Sequence, residues 1–293
     1  MKILLFGKHG QLGWELHRSL QGLGQVLAYD YPEIDFAVPS SLSRIVGDFG
    51  PRIVINAAAY TDVDKAELEA QRAKLINAEA PAILAEICRG LGAAFIHYST
   101  DYVFDGQKGA PYTESDATHP LNLYGQTKLE GEQAVLHTGG ANLIFRTAWV
   151  YSTRRDSFVT KVLHWARTQQ EMRIVEDQVS NPTWARALAE ITAQLLAKAG
   201  PDPIPWLSER CGLYHLASWG FASRLEWAKA ILQNDPNQTQ QIVQRVLPAR
   251  SVEFPTAARR PRYSALNCRK FEQTFALRLP DWGLALRLAM ETS

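Results

Sequence analysis

No stretch of this chain strings together the roughly 18 apolar residues that a membrane-crossing helix requires, so no membrane partner is expected. An excess of either charge is missing too. Lys and Arg number 31 against 30 Asp and Glu, a formal net charge of +1. That excludes the broadly basic surface of a nucleic-acid binder and leaves any anionic ligand to local positive groups. Cysteine is scarce: Cys88, Cys211 and Cys268 are odd in number, far apart and never spaced as CxxC. They offer no disulfide framework or zinc site, and they suit a reducing cytosol. The opening apolar run, Ile3 to Phe6, reaches Gly7 at once and is too short for a secretory signal. Repeats and low-complexity linkers are missing as well. What remains is the expectation of a soluble, cytoplasmic globular protein. With 293 residues, 46% of them hydrophobic, the chain can form one large domain or a large and a small one.

What is there begins with Ile3-Leu4-Leu5-Phe6, a run that reads as a strand buried on both faces. Gly7-Lys8-His9-Gly10-Gln11-Leu12-Gly13 follows, then apolar residues at helical spacing through Leu20. Strand, glycine turn and helix form the context of a dinucleotide fingerprint. Gly7 permits the tight turn, Gly10 lets backbone approach a pyrophosphate, and Gly13 lets helix pack on strand. Gln11 and Leu12 lie at the helix start, where free N–H groups hold phosphates. The first gap is one residue longer than in the commoner pattern. A second strand, Val26 to Tyr29, delivers Asp30, about 20 residues past the turn, where a carboxylate bonds adenosine ribose hydroxyls. The alternative is a capping or solvated Asp. No Arg or Lys adjoins Asp30 to welcome a 2′-phosphate, so NADH is favoured over NADPH. Asp35 and Phe36 are candidates to wall the adenine.

Three more apolar runs, Ile53–Ile55, Ala94–Tyr98 and Leu143–Phe145, alternate with helical stretches. The pattern predicts a doubly wound parallel α/β sheet, Rossmann-like. Helices are expected over 63–73 and over 77–89, the second broken by Gly90 and Gly92, and over 123–137. Ligands in such sheets collect at the C-terminal ends of strands, where Gly7, Asp30, Ala57-Ala58-Ala59-Tyr60, Thr100 and Trp149 all fall. The small residues at 57–59 serve either close approach to a cofactor or tight packing. His97, inside an apolar strand, reads as a core histidine. Beyond Trp149, Pro and Trp become frequent. Residues 1–149 are therefore expected to bind the dinucleotide, and 150–293 to form mainly a smaller, irregular substrate domain. A helix over 183–198 is expected to return to the sheet, 212–216 to be a strand, and 223–232 a capped helix. Within this part, Arg259 and Arg260 beside Pro261 suit bidentate phosphate binding, or else form a solvated basic loop.

The remaining motif is Tyr124-Gly125-Gln126-Thr127-Lys128. Of the ten tyrosines, only Tyr124 is followed by Lys at the fourth position. On a helix the two lie on one face, one turn apart. An ammonium there would favour ionisation of a phenol whose pKa starts near ~10, making the pair a candidate proton-transfer device.

Gly7-x-x-Gly10-x-x-Gly13, Asn56-Ala57-Ala58-Ala59, Thr100 and Tyr124-x-x-x-Lys128, in this order, resemble the extended short-chain dehydrogenase/reductase family over essentially the whole chain. Three finer strings resemble its members that reduce nucleotide-linked 4-keto sugars: Asp62 to Glu67, His97 to Phe104 and Phe145 to Tyr151. Ala258 to Pro261 is a fourth. The resemblance implies NAD(P)H-dependent reduction at C4 of a nucleotide sugar, dTDP-4-dehydro-L-rhamnose. It implies Tyr124 as proton donor, and Lys128 bonding the nicotinamide ribose and lowering the Tyr124 pKa. Thr100 would hydrogen-bond the carbonyl oxygen. Asp101, Trp149, Arg259 and Arg260 would contact substrate. Related 4,6-dehydratases carry an acid where this chain has Tyr102, which disfavours water elimination. A 4-epimerase and a non-catalytic NADP-binding regulatory subunit of methionine adenosyltransferase are the alternatives. Some members are magnesium-linked dimers built on glutamates. Glu15 and Glu190 are available, but Arg186 falls where an acid would be wanted, so no metal site is assigned. Base rates leave room for a homodimer.

Overall fold

Apolar runs buried on both faces satisfy their backbones in a parallel sheet covered by helices on each side. The computed structural model, which describes residues 1–38 and 40–291, has this arrangement. Strands β1 (Lys2–Phe6), β2 (Gln25–Tyr29), β3 (Ile53–Asn56), β4 (Ala94–Thr100) and β5 (Asn142–Thr147) pair in parallel in the spatial order β2-β1-β3-β4-β5. Three later strands are β6 (Glu171–Val175), β7 (Gly212–His215) and β8 (Arg245–Ala249). Strand β7 extends the sheet beyond β5, and β6 pairs in parallel with β8 apart from it. The period-2 alternation sends Ile3, Leu5, Ile55, Ile96 and Phe145 to one face. Leu4, Phe6, Val54, Phe95 and Ile144 go to the other. All ten are fully buried, each contributing about 1.5–3 kcal/mol of transfer free energy.

Helices α1 (Gln11–Ser19), α2 (Ser40–Phe49), α3 (Ala80–Leu91), α4 (Leu123–Thr138), α5 (Phe158–Thr168), α6 (Ala185–Ala199) and α7 (Arg224–Gln233) complete the layers. Leu12 and Leu16 of α1 share the first face with Leu188 and Leu195 of α6. Leu84, Ala85 and Cys88 of α3 cover the second. The chain leaves β1 for β2 on one side and then crosses to β3 on the other. The loops part at that reversal and open a crevice at the strands' C-terminal ends.

Several boundaries differ from those read in the sequence. The stretch from Val63 breaks into Val63–Ala66 and Ala70–Lys74, which runs into a π-turn at Leu75–Glu79. Helix α3 passes through Gly90 and ends at Leu91, with Gly92 in the left-handed conformation (φ 62°) as its cap. Helix α6 begins at Ala185, because Thr183–Trp184 is extended and paired with Val150–Tyr151. Helix α7 carries a capping box between Ser223 and Glu226. Among the described residues, no helix is long and apolar enough to cross a membrane.

Candidate active site

The crevice is a cleft of about 690 Å³, and its first wall is the glycine turn. Gly7 has φ 90°, and a Cβ built on Gly13 would stand 1.8 Å from the Gly7 carbonyl oxygen. Only glycine lets α1 seat that close to β1. Gly10 caps α1 in an extended conformation without any side-chain cap, so the helix's first N–H groups stay available to an anion. Gly7, Gly10, Gln11, Leu12, Asp30, Asp35, Phe36, Ala57, Ala58 and Ala59 all line the cleft. Gly13 lies beneath the turn and does not line it. Tyr60 does not line it either: its phenol hydrogen-bonds Glu69. Its peptide N–H donates to Asn77 Oδ1 at 2.9 Å, and its carbonyl accepts from Asn77 Nδ2 at 3.1 Å. Asn77 also donates to Thr127 Oγ1 at 3.2 Å, so the π-turn clamps the 57–60 loop to α4. Asp30 accepts from the N–H groups of His9 and Tyr31, both at 2.8 Å. Nearby, Lys8 pairs with Glu33 at 2.6 Å. In the same lining, Gln11 Oε1, Ser99 Oγ and Thr147 Oγ1 are buried with no hydrogen-bond partner among the described residues. A glycine cradle, an uncapped helix start, a carboxylate at the β2 end and spare polar atoms fit a dinucleotide cofactor.

Further along the cleft, α4 brings Tyr124 and Lys128 to the end of β4. Asn122 caps the helix through Gly125 N–H at 2.8 Å and donates to the Arg259 carbonyl at 2.7 Å. A Cβ on Gly125 would meet the Tyr102 carbonyl oxygen at 2.2 Å, so glycine lets α4 sit against the β4 end. Tyr102 packs edge-on to Tyr124, ring centroids 5.8 Å apart. The half-buried Tyr124 phenol is in hydrogen-bond contact with Thr100. Burial pushes its pKa well up; the Thr100 contact pulls it down, and the Asp101 charge pushes it up. Lys128, expected to lower it, turns its Nζ to the backbone and His97 of β4. Its ammonium position is buried, 2.6 Å from the Tyr98 carbonyl and 3.2 Å from His97 Nε2. Burial lowers Lys128 to about 8, against the opposing pull of Glu132.

Asp101 lines the cleft but is only 2% exposed. Its carboxylate accepts from Thr100 Oγ1 at 3.2 Å, from Ser180 Oγ at 3.0 Å and from Ser264 Oγ. It is a knot between the end of β4 and two segments of the later chain. Burial raises its pKa to about 6, while the three hydroxyls pull the other way.

Trp149 closes this end of the cleft, with φ 41°. Its indole stacks on Trp227 with centroids 5.5 Å apart, and the Arg224 guanidinium lies 3.7 Å from its ring centre. Arg224 faces a second cavity of about 1380 Å³, which Phe158, Arg259, Arg260 and Arg262 also line. Arg260 is tied to Asp64, Nη1 to Oδ1 at 3.1 Å. Burial drops Arg224 to about 10. The sequence carried no sign of Arg224: a single arginine opening a helix has no local pattern. Glu15 and Glu190 lie elsewhere, on α1 and α6. Glu190 pairs with Arg186 at 2.8 Å, and Glu15 is flanked by Arg186, Arg18 and Arg154. Among the described residues no group of three or more His, Cys, Asp or Glu side chains gathers to hold a metal.

The chain matches the family model of the RmlD substrate binding domain over residues 1–293. A dTDP-4-dehydrorhamnose reductase of Burkholderia thailandensis is 44% identical, the match covering 99% of this chain and 98% of that protein. The crystal structure of a dTDP-4-dehydrorhamnose reductase of Clostridium acetobutylicum superposes with a TM-score of 0.90 at 33% identity. That match covers 100% of this chain and 99% of the other. A Bacillus anthracis dTDP-4-dehydrorhamnose reductase in complex with NADP superposes at 0.89 with 30% identity, covering 100% and 99%.

Proposed function

The chain belongs to the family of the RmlD substrate binding domain, whose relatives named above are dTDP-4-dehydrorhamnose reductases, and we propose that it reduces the C4 carbonyl of dTDP-4-dehydro-L-rhamnose to give dTDP-L-rhamnose. One observation carries the reading. Tyr124, Thr100 and Lys128 share one cleft with a glycine cradle and Trp149, and Arg224, stacked on Trp149, lines the neighbouring arginine-lined cavity.

Gly7, Gly10, Gln11, Leu12 and the 57–59 loop would hold the cofactor, with Asp30 on the adenosine ribose and Lys128 on the nicotinamide ribose. When bound, a reduced nicotinamide supplies hydride to C4. Tyr124 gives its proton to the carbonyl oxygen, and its raised pKa keeps that proton on the phenol until the oxygen becomes basic. Thr100 holds the same oxygen. Proton donation of this kind contributes roughly 10² to 10⁴-fold, and placing donor and carbonyl together supplies more. Trp149 walls the sugar, and Arg224, Arg259 and Arg260 meet the diphosphate. Residues 1–149 thus serve mainly the cofactor and 150–293 mainly the nucleotide sugar. NADH is the proposed reductant, since the Asp30 carboxylate, held by the N–H groups of His9 and Tyr31, repels a 2′-phosphate. In this reading the protein works as a soluble, cytoplasmic homodimer.

Purified protein, NADH and enzymatically prepared dTDP-4-dehydro-L-rhamnose test the reading. Loss of NADH absorbance is expected, and Tyr124→Phe should slow it by roughly 10² to 10⁴-fold while still binding cofactor. Cofactor binding by the wild type without turnover would favour the regulatory-subunit reading instead.

A further inference from the structure

The turn after the Val150–Tyr151 strand brings a second set of charges to the glycine cradle. Ser157 Oγ donates to the Ser152 carbonyl at 2.9 Å, which closes the base of the loop over 153–156. That loop reaches across to α1. Arg154 lies 3.9 Å from the centre of the Trp14 ring, and Arg18, one turn further along α1, lies 3.4 Å from it. Two guanidiniums at that range must take opposite faces. The indole is therefore clasped between its own helix and the loop, with a cation–π contact on each side.

Beyond that clasp, both arginines of the loop turn to one backbone oxygen. The His9 carbonyl accepts from Arg154 Nη2 at 3.2 Å and from Arg155 Nη1. This carbonyl stands just before Gly10, where the free N–H groups of α1 begin. Arg155 is exposed and lines the cleft beside Gly10, Gln11 and Leu12. A guanidinium has five N–H donors, so one bond to His9 leaves Arg155 others to give. We propose that Arg155 is a ligand of the dinucleotide's pyrophosphate, held over the glycine turn by a loop that Arg154 pins to Trp14. The inference deepens the cofactor half of the reductase reading and rests on it for a dinucleotide in this cleft.

The surrounding charges agree. Burial, with the charges of Arg155 and Arg18 beside it, holds Arg154 below the usual guanidinium pKa, while Glu15 pulls the other way. Glu15 is itself shared with Arg186 and Arg18. Other acids nearby are engaged, Asp156 with Lys161 at 3.3 Å and Glu33 with Lys8 at 2.6 Å. Arg18, Arg154 and Arg155 thus leave a local excess of positive charge at the mouth of the cradle, in a chain whose net charge is only +1. Guanidinium pairs bidentately with phosphate oxygens. The adenosine end lies elsewhere, marked by Asp30, which accepts from the His9 N–H rather than facing its carbonyl. A clamp on the pyrophosphate would therefore serve NADH and NADPH alike. It also comes from the later half of the chain: the loop leads directly into α5, whose Phe158 lines the second cavity.

Binding titrations of NADH, NADPH, ADP and adenosine against the wild type and Arg155→Met decide it. The variant should lose about tenfold in affinity for NADH, NADPH and ADP alike, the low end for a charge-assisted hydrogen bond, and nothing for adenosine. Added salt should weaken ADP binding more in the wild type than in the variant, because it screens the charge that the variant lacks. Arg155→Lys, which keeps the charge, should recover part of the loss. A loss confined to NADPH would put Arg155 on the 2′-phosphate and overturn the proposal. A loss shared by adenosine and equal at low and high salt would make Arg155 only a latch on the His9 carbonyl, and overturn it too; so would unchanged affinity. These readouts need no turnover. A wild type that binds cofactor through Arg155 yet leaves the keto sugar untouched would sustain this inference and sink the reductase reading, whereas a wild type that binds none of the nucleotides would overturn both.

Discussion

Replacing Asp101 by Asn should make the fold less sensitive to pH. The carboxyl is 2% exposed, and its pKa is raised from an ordinary 3.8 to about 6, first by burial. The acid is therefore harder to ionise in the folded chain than in the unfolded one. Between these two values the folded chain binds the proton that the unfolded chain has lost, so stability falls as pH rises through that window. Above about 6 both states are ionised and the penalty is constant. At about 1.4 kcal/mol per unit, the full penalty is about 3 kcal/mol. Asn has the same shape and no charge to bury, so this dependence should vanish in the variant.

The assay is urea unfolding of both proteins across the acid range, read as a difference in stability. Relative to Asp101→Asn, the wild type should lose up to about 3 kcal/mol as pH rises from about 4 to about 6, then run parallel to it. Ser180 and Ser264 limit the gain, since both hydroxyls now donate to the carboxylate and must reorient towards an amide. That cost is independent of pH and shifts the difference without bending it. A difference that is flat across the window, or that grows in favour of the wild type with rising pH, would refute the reasoning.

Two further substitutions test the ligand ends of the site. Arg224→Met keeps the packing on Trp149 but removes the charge; KM for the nucleotide sugar should rise about 10- to 100-fold, the loss of a charge-assisted hydrogen bond of about 1.5–3 kcal/mol, with kcat little changed in steady-state kinetics. Asp30→Asn should swing the ratio of kcat/KM for NADPH over NADH upward by about tenfold or more, near 1.4 kcal/mol. An unchanged ratio would remove Asp30 from cofactor selection.

What was legible in the sequence was local. The glycine turn, the strand ends and the Tyr124–Lys128 pair each lie within one turn or one strand-to-helix passage, where spacing alone implies geometry. Tyr60 shows where that logic ends, for it was read with its neighbours Ala57 to Ala59. At a strand end successive side chains diverge, and its phenol turned to Glu69. The supports of the site were not legible, because they are tertiary. Asp101 meets Ser180 and Ser264, 79 and 163 residues on. Asn77 reaches Thr127 across 50 residues. The surroundings of the lysine were not legible for the same reason. One turn of helix puts Lys128 near Tyr124, but the carbonyl of Tyr98 and the ring of His97, both on another element, take its amine.

The position of Trp149 shows how the two halves of the site are joined. A bulky residue at φ 41° costs about 1–3 kcal/mol and persists only where its surroundings over-determine it. Here they do. The Trp149 carbonyl accepts from the Thr183 N–H at 3.2 Å, which anchors the backbone to the short ladder leading into α6. The indole lies nearly parallel to Trp227, 14° between planes, and Arg224 covers it. Relaxing the backbone would swing the indole off Trp227 and uncover the guanidinium. The strained turn after β5 thus fixes an aromatic wall to the cleft that holds the tyrosine. Through Arg224 the same turn fixes that cleft's register against the arginine-lined cavity. A substrate with a reactive sugar at one end and a diphosphate at the other needs that distance held constant, and a rigid, strained residue at the seam holds it.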